Sequence, residues 1–470
     1  MSPFTAEPAS FRDPASTVFY AGGKVLRGLG DQASKDWETL SATAFFPRLL
    51  ADGKVVGTKL ADPAVLEDPA LRERFTSVLE HERIPFVSYP YEWTFSMLKD
   101  AALLHLDVLL AALDEGMTMK DGYAYNVQWR GASPAFIDVG SFERLKGSEP
   151  WAGYRQFCAT FLYPLMLQAY KDVGFQPWLR AQIDGIEPSQ MRGLFSSSRD
   201  KMRGGVLKHI TLHSAMEARF KKSSTQGVRK ELEEAGFSKD LSVGMAKGLR
   251  KLIAGLDWEK SSSTWSDYQE TSTYSEGERE TKAKFVADAL AGPRLGEVWD
   301  LGGNDGTYSY IAARNADHVV LVDGDEVCID AAYRHLRDEG NTQILPLVMN
   351  LADPSPGLGW RGKERTAFFD RSKPDAVLAL ALVHHLAISA NVPLAEIVDW
   401  LHATGARVVV EFVHRDDPMS QRLLSNKPDG LFSDYRTEVF ERLLADRFEI
   451  DRQETLPSGT RTLYAVRPRG

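Results

Sequence analysis

The stretch Val298-Trp-Asp-Leu-Gly-Gly-Asn-Asp-Gly-Thr-Tyr-Ser309 constrains this chain more than any other: an apolar run ends in an acid, turns through three glycines and enters a helical pattern. A short apolar run of this kind reads as an interior strand, and its glycines mark a sharp strand-to-helix turn. From residue 280 onward the pattern repeats as helix, strand, loop, helix, strand, which is the sign of a doubly wound parallel sheet. The predicted strands are Glu297 to Leu301, His318 to Asp323, Gln343 to Val348, Ala376 to Ala381 and Arg407 to Phe412. An antiparallel pair, Phe448 to Thr455 and Arg461 to Arg467, closes the chain.

Gly302, Gly303 and Gly306, with Asn304 among them, let the backbone pass close to a ligand with no Cβ in the way. The turn's amides and the start of the next helix, where Tyr308 lies, can hold a carboxylate. Asp300 can accept from an ammonium group, directly or through water. Asp323 ends the second strand 23 residues after Asp300, where an acid can accept from both hydroxyls of a ribose. Capping the following helix is the other reading of an Asp at that place. Asn350-Leu351-Ala-Asp353 follows the third strand, where a side-chain amide can meet an adenine edge while Leu351 covers its face. The succession of glycine loop, acid and polar-apolar loop along neighbouring strand ends carries the weight, since glycine turns alone occur in many α/β folds. A dinucleotide oxidoreductase is the other α/β candidate, but its loop would open on G-x-G-x-x-G, and this one opens on the acid.

The segment Val298 to Arg467 resembles bacterial class I SAM-dependent methyltransferases, in a subgroup near nodulation-associated proteins. The matching stretches are Leu345-Pro-Leu-Val-Met-Asn-Leu-Ala-Asp-Pro-Ser-Pro356, Leu378-Ala-Leu-Ala-Leu-Val-His-His-Leu-Ala-Ile-Ser389, Val410-Glu-Phe-Val413 with Asp417-Pro-Met419, and Ser458-Gly-Thr-Arg-Thr-Leu-Tyr464. The resemblance implies a Rossmann-like, seven-stranded methyltransferase domain over 280–470, S-adenosyl-L-methionine (SAM) as cofactor, and methyl transfer. It supplies no acceptor.

Transfer from a sulfonium is an in-line displacement, so placing the nucleophile behind the methyl group is the main requirement. A base matters only for a protonated acceptor. The end of the fourth strand faces the methyl group in this fold, and here it leads into Leu382-Val-His-His-Leu386. A neutral His384 or His385 can take a proton near pH 7; alternatively one caps the helix and the other packs in the core. Glu411, ending the fifth strand, is a second base or acceptor-orienting candidate, or else the partner of a nearby Arg. Tyr274, with Tyr268 and Ser275, lies in an entry segment that can close over the cofactor as a lid or pack onto the sheet.

Length supports more than one domain, because 470 residues exceed the usual size of one. Residues 1–187 read as an α+β domain with hairpin-like runs at Thr17 to Tyr20, Lys24 to Leu29 and Val55 to Leu60, then helices over Tyr91 to Gly116 and Trp151 to Val173. Two short strands, Ala124 to Trp129 and Ala135 to Val139, lie between those helices. Asp121-Gly-Tyr-Ala-Tyr-Asn126 followed by Asp138-Val-Gly140 resembles the catalytic loop and metal-binding acid of protein-kinase-like folds, which implies Lys59 as a phosphate-binding lysine. Met119-Lys120 stands where such loops carry His-Arg, and no G-x-G-x-x-G accompanies Gly22-Gly23. A substrate-docking or dimerisation module using Asp121 and Asn126 as turn residues is the alternative. Residues 188–279, polar and Ser-rich, read as a mostly helical connector and possible lid.

A net charge of −9 excludes a chain-wide field for nucleic acid, although Gln190 to Lys251 holds 14 Lys or Arg against 6 Asp or Glu. That run reads as a solvated helical face or as a surface favouring an anionic acceptor. The two cysteines, Cys158 and Cys328, lie outside metal-ligand spacing, so no metal is expected and a reducing cytoplasm fits. The acidic, proline-containing N-terminus does not read as a signal peptide, and no apolar run reaches membrane-spanning length. The expected function is a cytoplasmic SAM-dependent methyltransferase whose N-terminal module selects the substrate. A small-molecule or protein acceptor is expected, with RNA as the alternative. A bifunctional kinase-like methyltransferase and a non-catalytic SAM-binding scaffold are the competing functions.

Overall fold

A computed structural model describes residues 5–145, 150–220, 239–258, 274–428 and 430–469. The chain divides into two units, one comprising Met1–Trp129, Pro134–Glu259 and Gly357–Arg365, the other Arg130–Ser133, Lys260–Pro356 and Thr366–Gly470.

The first unit opens with an antiparallel sheet of β1 (Thr5–Ala6), β2 (Ser16–Ala21), β3 (Lys24–Leu29), β4 (Thr58–Ala61) and β5 (Ser77–His81), ordered β1-β2-β3-β5-β4. Gly22 and Gly23, both with positive φ, make the two-residue turn between β2 and β3, the geometry that matches strand twist. Phe19, Leu26, Leu66, Phe75 and Val78 form a core beside this sheet. The expected strand from Val55 begins later, at Thr58, because Val56 instead donates its amide to the Phe136 carbonyl, 2.9 Å away.

Helix Phe95–Asp114 starts at Thr94, whose hydroxyl accepts from the Met97 amide at 3.2 Å, and buries twelve side chains. β6 (Met117–Met119) pairs with β9 (Phe142–Arg144), and β7 (Val127–Arg130) with β8 (Ser133–Phe136). Ala124–Asn126, expected as part of a strand, forms a single 3-10 turn before β7. Helix Lys239–Ala254 packs along Phe95–Asp114, fastened by Arg250 on Asp107 at 2.6 Å. Lys99 also donates to the Leu256 carbonyl at 2.6 Å. The described residues from 188 to 258 therefore fold into the first unit; they do not form the separate connector expected over 188–279, because this amphipathic helix buries its apolar face there.

The second unit holds β10 (Leu295–Leu301), β11 (Ala316–Asp323), β12 (Ile344–Val348), β13 (Ala376–Ala379), β14 (Arg407–Val413), β15 (Phe448–Thr455) and β16 (Arg461–Pro468). They form one sheet ordered β12-β11-β10-β13-β14-β16-β15. The first five are parallel, and β16 inserts antiparallel between β14 and β15. This is the doubly wound, seven-stranded arrangement expected for the domain. Val319 to Val322 and the whole of β13 are buried, so these strands are apolar without alternation, as interior parallel strands are. Strand order reverses between β10 and β13, and a ligand crevice opens beyond the carboxyl ends at such a switch point. Among the described residues no helix is long and apolar enough to cross a membrane.

Candidate functional site

The glycine loop leaves β10 at Leu301 and is pinned to the neighbouring strand: the amides of Gly302 and Gly303 both donate to the Val322 carbonyl, at 2.8 and 3.2 Å. Gly302 and Gly306 have φ of 77° and 83°, a region glycine enters without strain. Asn304 takes φ 49° in the same loop, tolerable for Asn among side-chain residues. Gly303 is different. A Cβ there would overlap the Leu321 side chain and lie 2.7 Å from the Asp300 carboxyl carbon, so the protein itself forbids it.

Asp300 is buried and accepts from the Ser309 hydroxyl at 2.7 Å. Burial pushes its pKa up to about 6, against the opposing effects of Ser309 and the Lys282 charge. Asp323 faces the loop from the end of β11. One of its oxygens accepts from the Asn304 amide at 3.0 Å and the other from the Asp325 amide at 2.9 Å. The helix cap is Asp325, which accepts from Val327 and Cys328. Asp323 is thus held out of the capping role. Beyond β12, Asn350 is exposed and its side-chain oxygen accepts from the Ala352 amide at 3.0 Å, with half-buried Leu351 next to it. Tyr308 lies in the first turn after the loop, with the Lys282 ammonium 4.8 Å from its ring centre.

Glu411, at the end of β14, is fully buried in a network of charges. Lys282 from helix Glu276–Ala289 stands 2.6 Å from one oxygen, while the other accepts from the Tyr274 hydroxyl at 2.6 Å and lies 3.6 Å from Arg461. Arg461, opening β16, grips Asp417 through Nε at 2.9 Å and Nη2 at 3.2 Å, and its guanidinium covers the Tyr274 ring at 4.1 Å. Burial alone would raise the Glu411 pKa, but Lys282 and Arg461 outweigh it and hold the carboxyl below its ordinary range. Glu411 is therefore an ionised, paired group and a weak base: the Arg-partner reading describes its surroundings, with Lys282 nearer still. Tyr274 is hydrogen-bonded into the same network; Tyr268 lies outside the described residues. Ser275 and Glu278 form a reciprocal cap on the helix that follows, and Glu278 also accepts from the Ser458 amide at 3.0 Å.

The two histidines follow β13 through a strained turn. Ala381 sits at φ 50°, where a residue with a Cβ costs about 1–3 kcal/mol. His385–Ser389 then forms a π-helical turn closed by the Ala390 amide on the His385 carbonyl at 3.1 Å. His384 is wholly buried, caps nothing with its side chain, and neither ring nitrogen has a hydrogen-bond partner. Burial, the neighbouring His385 and the charges of Arg461 and Lys282 hold it well below its usual pKa, hence neutral. His385, half-buried, is lowered to about 4 by burial and Arg461. Its ring packs on His384, 4.0 Å between centroids.

Lys282, Arg461 and Asp417 escaped the sequence reading. Arg461 carried a signal, a charge at the start of an otherwise apolar strand; Lys282, in a helix of mixed charge, carried none.

In the first unit, Asp138 is paired at 2.9 Å with Arg27 of β3, which also contacts His81 and Ser16. Asp121 accepts weakly from Gln156 at 3.4 Å, and burial together with the charge of Asp138 raises its pKa. The Asn126 side-chain nitrogen Nδ2 is shielded from solvent with no hydrogen-bond partner, and the Asn126 backbone carbonyl accepts from the Ile137 amide at 2.8 Å. Lys59 does not join them. It lies exposed on β4, the last strand of the sheet, paired with Glu80 at 3.0 Å. The cation facing Asp138 is Arg27, because β3 is interior to the sheet and β4 is at its edge.

No protein-family model matches the chain. Among solved structures, it is similar to the N-methyltransferase NodS from Bradyrhizobium japonicum WM9, at 10% identity and TM-score 0.31, over 41% of this chain and 98% of that one. It is also similar to magnesium protoporphyrin IX methyltransferase (ChlM) from Synechocystis PCC 6803, at 19% identity and TM-score 0.29, over 40% of this chain and 84% of that one. Among curated proteins, the nodulation protein NoeA of Rhizobium meliloti (strain 1021) is 34% identical over 461 residues, which span 97% of this chain and 94% of that protein. Identity at that level across both units, not one domain alone, means that the chain belongs to the family of nodulation protein NoeA.

Proposed function

We propose that the second unit is a SAM-dependent methyltransferase and that its acceptor binds beside the turn after β13. The observation that carries this reading is the alignment of the loop from Asp300 to Gly306 with Asp323 at the switch point of the sheet, next to a neutral, unpartnered His384. SAM, when bound, supplies a methyl group on a positively charged sulfur. The carboxylate of Asp323 at the end of β11 suits ribose hydroxyls, the open backbone at Gly302 and Gly306 suits close approach of the amino-acid end, and Leu351 suits an adenine face. Asp300 acts through the loop, braced by Ser309. Glu411, Lys282, Arg461 and Asp417 form a rigid charged wall, and neutral His384 lies buried beside it. Isothermal titration with SAM tests this: the intact protein should bind, and Asp323→Ala should weaken binding at least tenfold. No binding by the intact protein would sink the reading.

A second reading concerns the first unit alone, where Asp138 pairs with Arg27 and its charge reaches Asp121. This favours a kinase-like module that holds a nucleotide through a divalent metal, with Arg27 where Lys59 was expected. ATP turnover in the presence of magnesium, abolished by Asp138→Ala, is its expected behaviour; turnover indifferent to that change removes it.

A further inference from the structure

In the first unit, the π-wound helix Val206–Leu212 runs directly into helix His213–Phe220, and together they are apolar on two sides. Val206, His209 and Ile210 face inward and are buried. On the outside, Leu207, Leu212 and Met216 are 54%, 52% and 50% exposed. Leu212 lies one π-turn beyond Leu207 and Met216 one α-turn beyond Leu212, so the three follow one another down a single outer side. Helices Pro188–Leu194 and Ser198–Lys201 pack on the same π-turn, and each ends in a further exposed apolar group, Leu194 in the first and Met202 just past the second. Met202, at 81%, is the most exposed large apolar side chain among the described residues. Apolar side chains scattered singly over a surface need no explanation, whereas several gathered on one face mark an interaction site.

The charges of this stretch are one-sided. Its acids are all engaged, Glu187 and Glu217 with Arg155 and Asp200 with Lys171. Arg203 lies over the Tyr170 ring at 5.1 Å. Arg192, Arg199, Lys201 and Lys208 are exposed and, among the described residues, form no ion pair. They are the outward part of the basic excess between Gln190 and Lys251.

This pairing of aliphatic and cationic groups selects among occupants. A second copy of the chain, docked about a two-fold axis, would set the same four cations against themselves. Single-stranded nucleic acid is held by cations interleaved with aromatic rings, and the exposed apolar groups here are Leu and Met. An anionic bilayer surface takes both kinds: aliphatic side chains sink among the acyl chains while Lys and Arg meet the phosphates of the headgroups.

We infer that this face, from Arg192 to Met216, docks the first unit on the surface of an anionic phospholipid bilayer. Met202, Leu207, Leu212 and Met216 enter the interface, and Arg192, Arg199, Lys201 and Lys208 lie against headgroup phosphates. The attachment is peripheral, in keeping with the lack among the described residues of any helix long and apolar enough to cross a membrane. It stands apart from the methyltransferase reading and does not require SAM.

The test is flotation of the full-length protein with vesicles of phosphatidylglycerol and phosphatidylcholine, set against vesicles of phosphatidylcholine alone. The protein should float with the first and stay behind with the second. Lys201→Gln with Lys208→Gln should weaken binding about 25-fold, and Leu207→Ser with Leu212→Ser at least tenfold. All four side chains are exposed, so both double variants should keep the wild-type melting temperature. No flotation with anionic vesicles, equal flotation with phosphatidylcholine alone, or full binding by either double variant would overturn the inference. A dimer in sedimentation that the two Leu→Ser changes make monomeric would also overturn it, assigning the face to a second copy. Tighter binding to single-stranded RNA than to anionic vesicles would do the same in favour of nucleic acid.

Discussion

The ends of β13 and β14 lie side by side in one sheet, and each is followed closely by or ends in a wholly buried titratable group, yet the two are treated in opposite ways. Glu411 is charged and surrounded by Lys282, Tyr274 and Arg461; His384 is neutral and neither of its ring nitrogens makes a hydrogen bond. A buried charge must be paired to be tolerated, and once paired it is rigid and chemically spent. A neutral imidazole can be left unpaired at smaller cost, and it stays available. The contrast separates a charge-paired wall from an unpaired imidazole, although both side chains look equally catalytic in the sequence.

The contrast is broken most severely by removing one member of the wall. Lys282→Met should destabilise the protein by about 3–5 kcal/mol, because Glu411 is left without its nearest counter-charge. Urea unfolding measures it, and the double change Lys282→Met with Glu411→Leu should recover much of the loss; a silent single variant would mean that Glu411 is not held by Lys282.

Next in size is the pH response of Asp300. Its folded pKa of about 6 lies above the ordinary 3.8, so the folded state binds more protons than the unfolded one between those values. Stability should therefore fall as pH rises from about 4 to 6, by about 3 kcal/mol from this group. His385, lowered to about 4, acts oppositely, since its unfolded form gains protons as pH falls below 6.5. The clean measurement is the difference between wild type and Asp300→Asn in denaturant midpoint against pH: the variant should lack the decline, and parallel curves would contradict the assignment.

Gly303→Ala should cost about 1–3 kcal/mol through overlap with Leu321 and Asp300, visible as a lower melting temperature even without SAM. An effect on SAM affinity alone would instead place the Gly303 requirement in the ligand. Smallest is His384→Leu, expected within about 1 kcal/mol of wild type or more stable, because it removes an unsatisfied polar group from the core. A loss as large as that of Lys282→Met would show that His384 is structural.

The two units differ in how legible they were. In the second, β15 matched its predicted bounds and β10, β11, β12, β14 and β16 lay within two residues of theirs, because interior parallel strands are continuous apolar runs bounded by glycine and acid. β13 ended at Ala379, two residues before the prediction, since nothing in Leu380-Ala-Leu382 announces that an alanine adopts positive φ. In the first, the hairpin through Gly22-Gly23 was readable from its turn, whereas the cation for Asp138 was misplaced: Lys59 and Arg27 both lie on short strands, and only sheet order separates the edge from the interior.

Local sequence determined the glycine loop, the order of its acids and the identity of the histidine pair, because turn geometry and strand burial are imposed by neighbours along the chain. Only the tertiary structure decided which of these groups are spent. Lys282, Glu411 and Arg461 come from a helix before the first strand of the sheet, from β14 and from β16, and burial makes their charges meet. The same packing leaves His384 without a partner, and whether a side chain is paired depends on atoms more than a hundred residues away in sequence.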